Sequence, residues 1–159
     1  MCAVQGHDGT HFGEKEVEVY DRVLVDAPCG SERHVMKNAF SKQRQVLRDE
    51  WSAGRSRRNA GLQLDLLISG LRTLKPGGRL VYSTCSISPI ENDTVVARAL
   101  DKMHKRGDAV EVVRDYNDLV KLIGAEETEH GTLALPDKTK GWGPLFWTVL
   151  SKAKRGNRD

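Results

Sequence analysis

Apolar residues occur in two kinds of run along the chain, and the two alternate. Asp21-Arg22-Val23-Leu24-Val25-Asp26 is short and nearly continuous, and Ala27-Pro28 closes it. That pattern fits a strand buried on both faces of a parallel sheet. Leu64, Leu67, Ile68, Leu71 and Leu74 recur at helical spacing, and Lys75-Pro76-Gly77-Gly78 supplies the turn residues that stop the helix. A second continuous run, Arg79-Leu80-Val81-Tyr82-Ser83, is a strand broken at Thr84-Cys85-Ser86-Ile87-Ser88-Pro89. Ser88 is the expected cap of the next helix, which the pattern carries to about Arg106. Beyond it come a strand over 109–113, a helix over 115–123, and strands over 132–135 and 144–150. Strands alternating with helices of this length predict an α/β fold with a parallel, doubly wound sheet and right-handed crossovers. The last two strands have no helix between them, so they are expected to pair as an antiparallel edge.

The chain has 159 residues, 38% hydrophobic and 30% charged, with a net charge of +3, which describes one domain with an ordinary core. No apolar run approaches the ~20 residues of a membrane span. Three widely spaced cysteines, Cys2, Cys29 and Cys85, argue against a disulfide framework and for thiol chemistry. There is no Cys-x-x-Cys pair, and His7 and His11 lack convincing co-ligands, so no metal is expected. Charge is distributed unevenly. Segment 32–58 carries eight basic residues against three acidic ones, and the tail after Asp137 is basic too, while 108–130 is acidic. Either solvated surface or a polyanion-binding face produces such clusters. Trp51 and Trp142 are candidates for stacking on bases; Trp147 lies in an apolar strand and is expected to pack.

In open α/β sheets, ligands bind beyond the carboxyl ends of the strands. Asp26 to Cys29 and Thr84 to Ser86 occupy two such ends. Neighbouring strands lie ~4.8 Å apart, so two thiols and a carboxylate would share one crevice. Taken singly, each has a plain alternative: a small buried hydrophobe for a cysteine, a turn cap for Asp26.

Val25-Asp26-Ala27-Pro28-Cys29 and Leu74-Lys75-Pro76-Gly77-Gly78-Arg79-Leu80-Val81-Tyr82-Ser83-Thr84-Cys85-Ser86 together resemble the Nop/Sun-domain RNA cytosine-5 methyltransferases. Gln63, Asp8-Gly9 and Gly131 to Leu150 also fit, so the resemblance covers nearly the whole chain. It implies a Rossmann-like, S-adenosylmethionine-dependent methyltransferase fold. Carbon 5 of cytosine is a poor nucleophile, so a thiolate must first add to carbon 6. In the family pattern Cys85 is that nucleophile, Cys29 assists product release, and Asp26 bonds the base beside the cofactor. For Asp26 to donate a proton near neutrality, it is expected to be buried against the methyl donor. Asp8, Gly9 and Asp26 are the implied cofactor contacts. Arg33, Arg44, Arg55, Arg57 and Arg58, in the basic connecting segment, are the implied RNA contacts, and the target base must be unpaired or flipped. The mitochondrial rRNA and tRNA members are the nearest in pattern. Asp26-Ala27-Pro28-Cys29 with Glu32-Arg33-His34 leans to rRNA; Leu135-Pro136-Asp137-Lys138 with Trp142-Gly143-Pro144 leans to tRNA. The resemblance implies a mitochondrial location, with nucleus or cytoplasm as alternatives.

A glycine-rich cofactor loop and the ribose-binding acid that should follow it are not found. Residues 1–159 therefore read as a partial catalytic domain, the C-terminal half, whose 23–25 strand would be left as an open edge. Two alternatives follow: an incomplete unit that binds RNA or a protein partner able to complete or target it, or a cytosine methyltransferase that uses Cys29 as nucleophile.

Overall fold

The computed structural model describes residues 6–42 and 52–153. Its elements are α1 (Gly9–Lys15), β1 (Tyr20–Asp26), α2 (Glu32–Ser41), α3 (Ala53–Thr73), β2 (Leu74–Thr84), α4 (Asp93–Lys105), β3 (Val110–Val113), α5 (Asn117–Ile123), β4 (Glu126–Glu127), β5 (Thr132–Ala134) and β6 (Leu145–Lys152). The strands form one sheet in the order β1-β2-β6-β5-β4, with β3 also paired to β6. β1 and β2 are parallel, in the register Val23↔Leu80, Val25↔Tyr82 and Asp26↔Ser83. β6 runs antiparallel to β2, β3 and β5. It is therefore central, not part of an edge, although its antiparallel pairing with β5 is as expected.

Alternation along β1 decides which residues enter the core. Val23 and Val25 pack toward α3, where the missing side chain of Gly70 leaves room for them. Leu24 points to the opposite face and is 69% exposed. The expectation of a strand buried on both faces fails here, because among the described residues nothing covers the far side of β1. The core fills the near side: Leu64, Leu67 and Leu71 of α3, Val96, Ala99 and Met103 of α4, and Leu80, Tyr82, Phe146 and Leu150 of the sheet.

Three local differences have physical causes. α3 begins at Ala53, capped by Ser52 Oγ accepting from the Arg55 amide at 3.2 Å, so the basic segment 32–58 is largely helical among its described residues. The chain turns from helix into strand at Leu74, and Lys75 to Gly78 form an irregularity inside β2 with Gly77 at φ 81°. Ser88 does not cap α4. The N-cap position belongs to Asn92, whose amide is engaged elsewhere: it accepts from Thr84 Oγ1 at 2.6 Å and donates to the Ser86 carbonyl at 2.8 Å.

The basic tail is partly structural. Lys152, 6% exposed at its side chain, sits between Glu18 at 3.0 Å and Asp108 at 3.2 Å, and Lys138 pairs with Glu126.

Candidate active site

The two cysteine-bearing segments leave the carboxyl ends of adjacent parallel strands and meet. Cys29 Sγ lies 2.6 Å from Cys85 Sγ, and the Cys85 amide donates to Cys29 Sγ at 3.1 Å. Both side chains are half-buried free thiols. Burial is the main cause that pushes the Cys29 thiol up to about 12, and its hydrogen bond with Cys85 adds to it. Cys29 therefore keeps its proton at neutral pH.

Asp26 ends β1 one register pair earlier, and its Oδ1 accepts from Ser83 Oγ at 2.9 Å. The carboxylate is exposed, so the burial expected of it is not found in this chain. Asp26 and Gly9 line one cleft of about 400 Å³ that runs along the free edge of β1, with Val23, Leu24, Leu66 and Gly70. Asp8 stands apart from that lining. It caps α1, accepting from the Thr10 amide and hydroxyl at 3.0 and 2.8 Å, and these bonds hold its exposed carboxyl below the usual carboxylate range.

Arg33 opens the basic segment from α2, where its guanidinium donates to the Gly143 carbonyl at 2.6 Å, tying α2 to the Gly-Trp-Gly-Pro loop. Arg55, Arg57 and Arg58 occupy the first turns of α3, the last two exposed; Arg44 and Trp51 lie outside the described residues. Trp142 is 78% exposed, whereas Trp147 is half-buried on β6. No cluster of metal-ligating side chains occurs among the described residues.

Sequence reasoning missed two buried carboxylates beside the thiols. Glu91, fully buried, accepts from the Gly30 amide at 2.8 Å, Asn59 at 3.2 Å and Gln63 at 3.0 Å. Glu32 accepts from Ser86 Oγ at 2.9 Å and the Ile87 amide at 3.2 Å. Gln63 also donates to the Pro28 carbonyl at 2.8 Å. In the sequence, Glu91 is a helix-opening residue and Glu32 one acid in a basic run; only the fold brings them together.

A thiol pair at the ends of parallel strands, beside a carboxylate and an open cleft, within a mixed sheet in which β6 runs antiparallel to its neighbours, fits a Rossmann-like methyltransferase fold. A family model described as 16S rRNA methyltransferase RsmB/F matches residues 2–146, and the chain belongs to that family of RNA methyltransferases. It is 34% identical, over 92% of its length, to the 5-cytosine rRNA methyltransferase NSUN4 of Xenopus laevis. It is 33% identical, over 94% of its length, to the mitochondrial tRNA (cytosine(34)-C(5))-methyltransferase of Mus musculus. The chain spans 36% and 41% of the lengths of those two relatives. A solved methyltransferase homologue from Pyrococcus horikoshii superposes with a TM-score of 0.56 at 27% identity, covering 92% of this chain and 43% of that one.

Proposed function

We propose that this chain carries the base-side chemistry of an RNA cytosine-5 methyltransferase that draws its methyl group from S-adenosylmethionine. The observation that carries the reading is the 2.6 Å contact between Cys29 and Cys85 sulfurs at the ends of neighbouring strands. Two thiols in contact can serve one base in turn. In this reading Cys85 is the attacking sulfur, as the family pattern implies, with Cys29 held against it at the end of the neighbouring strand. Cys85 adds to carbon 6 of an unpaired cytosine, which makes carbon 5 electron-rich, and Asp26 at the strand end hydrogen-bonds the base, accepting from its exocyclic amine. Once carbon 5 carries its methyl group, the carbon 5 proton leaves to a base and the Cys85–carbon 6 bond breaks, with Cys29 assisting release.

The cleft of about 400 Å³ fits one side of the cofactor, with an apolar wall and Asp26 at its end. Gly9 and Asp26 would hold it there, and Asp8, next to Gly9 in the chain, is the third contact that the family pattern implies; bound S-adenosylmethionine supplies an electrophilic methyl group. Arg57 and Arg58 on α3, and Arg33, Arg44 and Arg55 from the same segment, would contact the RNA backbone. The names of the relatives favour rRNA or tRNA as the substrate and a mitochondrial location.

The test is covalent trapping. Incubated with cytosine-containing RNA and S-adenosylmethionine, Cys29→Ser accumulates a protein–RNA adduct that survives denaturing electrophoresis, and Cys85→Ala forms none. The opposite pattern makes Cys29 the nucleophile. Indifference to both substitutions points to methylation at oxygen or nitrogen. RNA binding with no adduct from any variant, and no calorimetric S-adenosylmethionine binding by the folded chain, leaves an RNA-binding module.

A further inference from the structure

Glu32 and Glu91 have no role in the chemistry above, yet both are buried carboxylates within hydrogen-bond reach of the thiol-bearing segments. Each comes from the opposite segment. Glu91 follows Cys85 in the chain and accepts from the Gly30 amide, next to Cys29. Glu32 follows Cys29 and accepts from Ser86 Oγ and the Ile87 amide, next to Cys85. Gly30 lies between the two acids. A Cβ there would come within 2.9 Å of Glu91 Oε1 and 3.2 Å of Glu32 Oε1. Glu91 is anchored to the core in turn, since the buried Tyr82 hydroxyl donates to its carbonyl at 2.7 Å. Asn59 and Gln63 add two donors from α3, and Gln63 also holds the Pro28 carbonyl. A buried carboxyl group that accepts from several donors is a rigid anchor.

We propose that Glu32 and Glu91 form a reciprocal clamp, positioning residues that fix the spacing and orientation of Cys29 against Cys85. The clamp rests on the reading that both thiols serve one base, but its test does not need RNA. Oxidised glutathione is reduced to two glutathione thiols as Cys29 and Cys85 give up two electrons and two protons and join. Intramolecular closure of this kind depends steeply on alignment, where a displacement of about 1 Å costs roughly 10²-fold. The rate of Cys29–Cys85 disulfide formation therefore reports the clamp directly.

The experiment uses the full chain in a Cys2→Ser background, with disulfide formation followed by peptide mass spectrometry. Glu91→Ala and Glu32→Ala are expected to slow closure about tenfold or more, while thermal melts show a cooperative fold. Glu91→Gln is expected to recover part of the rate, because its amide oxygen still accepts from Gly30. Ser86→Ala removes a donor from the Glu32 side without emptying the core, so it tests the clamp should Glu91→Ala fail to fold. Closure at the unsubstituted rate in folded Glu32→Ala and Ser86→Ala overturns the proposal. So does an equal slowing in Leu67→Val, a core substitution away from the clamp. Slowed closure with no RNA adduct from the unsubstituted chain would retain the clamp and reject the catalytic reading; adduct formation with unchanged closure would do the reverse.

Discussion

At the scale of single residues, burial sets the titration of the Cys29 thiol. Its folded-state affinity for a proton exceeds the unfolded value, with the thiol raised from 9.0 to about 12, chiefly by burial. The stabilisation it gives is therefore fully present below pH 9 and is lost as pH rises from 9 toward 12. Two measurements follow from the same shift. Alkylation of Cys29 by iodoacetamide should keep accelerating past pH 10, where an ordinary thiol has levelled off, and a plateau near pH 9 would contradict the burial argument. Chemical denaturation should show Cys29→Ala losing less stability than the unsubstituted chain between pH 9 and 11. The thiols and Asp26 were legible from sequence because each sits at the end of a strand that its own neighbours define. Glu32 and Glu91 were not. Their partners lie 28 to 61 residues away, and local pattern carries no information about contacts at that range. Asp26 shows the converse failure, in that its position was legible but its exposure depends on what covers the strand end.

Elements were readable where one short apolar run makes one strand, and unreadable where packing overrides local preference. β2 was placed over its apolar half, but Lys75 to Gly78 looked like a turn and instead stays in the sheet as an irregular stretch. α1 left almost no apolar periodicity, because a glycine makes its principal contact. Gly13 is buried against α3, and its amide donates to Ser69 Oγ at 2.8 Å. A Cβ at this position would fall 2.3 Å from the Ser69 carbonyl oxygen, which is backbone and unable to rotate aside. Gly13→Ala should therefore push α1 away from α3 and cost about 1–3 kcal/mol, the usual range for overpacking. Urea denaturation measures this as a lower midpoint with an unchanged slope. Gly61→Ala, on the same α3 with nothing within 4 Å of its would-be Cβ, is the control and should be neutral or mildly stabilising, since alanine favours helix. Equal effects from the two substitutions would remove the close contact as the explanation.

Over the whole molecule, the sheet is finished on one side and open on the other. β4 closes its far end as a two-residue strand, and β6 is covered by β3 and β5 on the edge away from β2. β1 has no such neighbour. Among the described residues it pairs only with β2, so a row of backbone donors and acceptors faces outward along the cleft that holds Gly9 and Asp26. Leu24 stands in the middle of that strand, 69% exposed, with Tyr20 at its start also exposed. An unpaired edge with apolar side chains is a template for another strand, and a charge placed on it is the usual protection. Leu24→Lys should therefore reduce concentration-dependent association of the chain, measured by light scattering at rising protein concentration, without changing its thermal midpoint. Leu122, 83% exposed on α5, provides the comparison, because it is more exposed yet lies on a helix with no free edge. If Leu122→Lys suppresses association as strongly as Leu24→Lys, exposed apolar area alone drives it; if only Leu24→Lys does, the open edge of β1 is the surface responsible. The same substitution bears on function, since Leu24 also lines the cleft proposed for the methyl donor. Weaker calorimetric binding of S-adenosylmethionine by Leu24→Lys would place association and cofactor binding on one surface of this strand, so that each competes with the other.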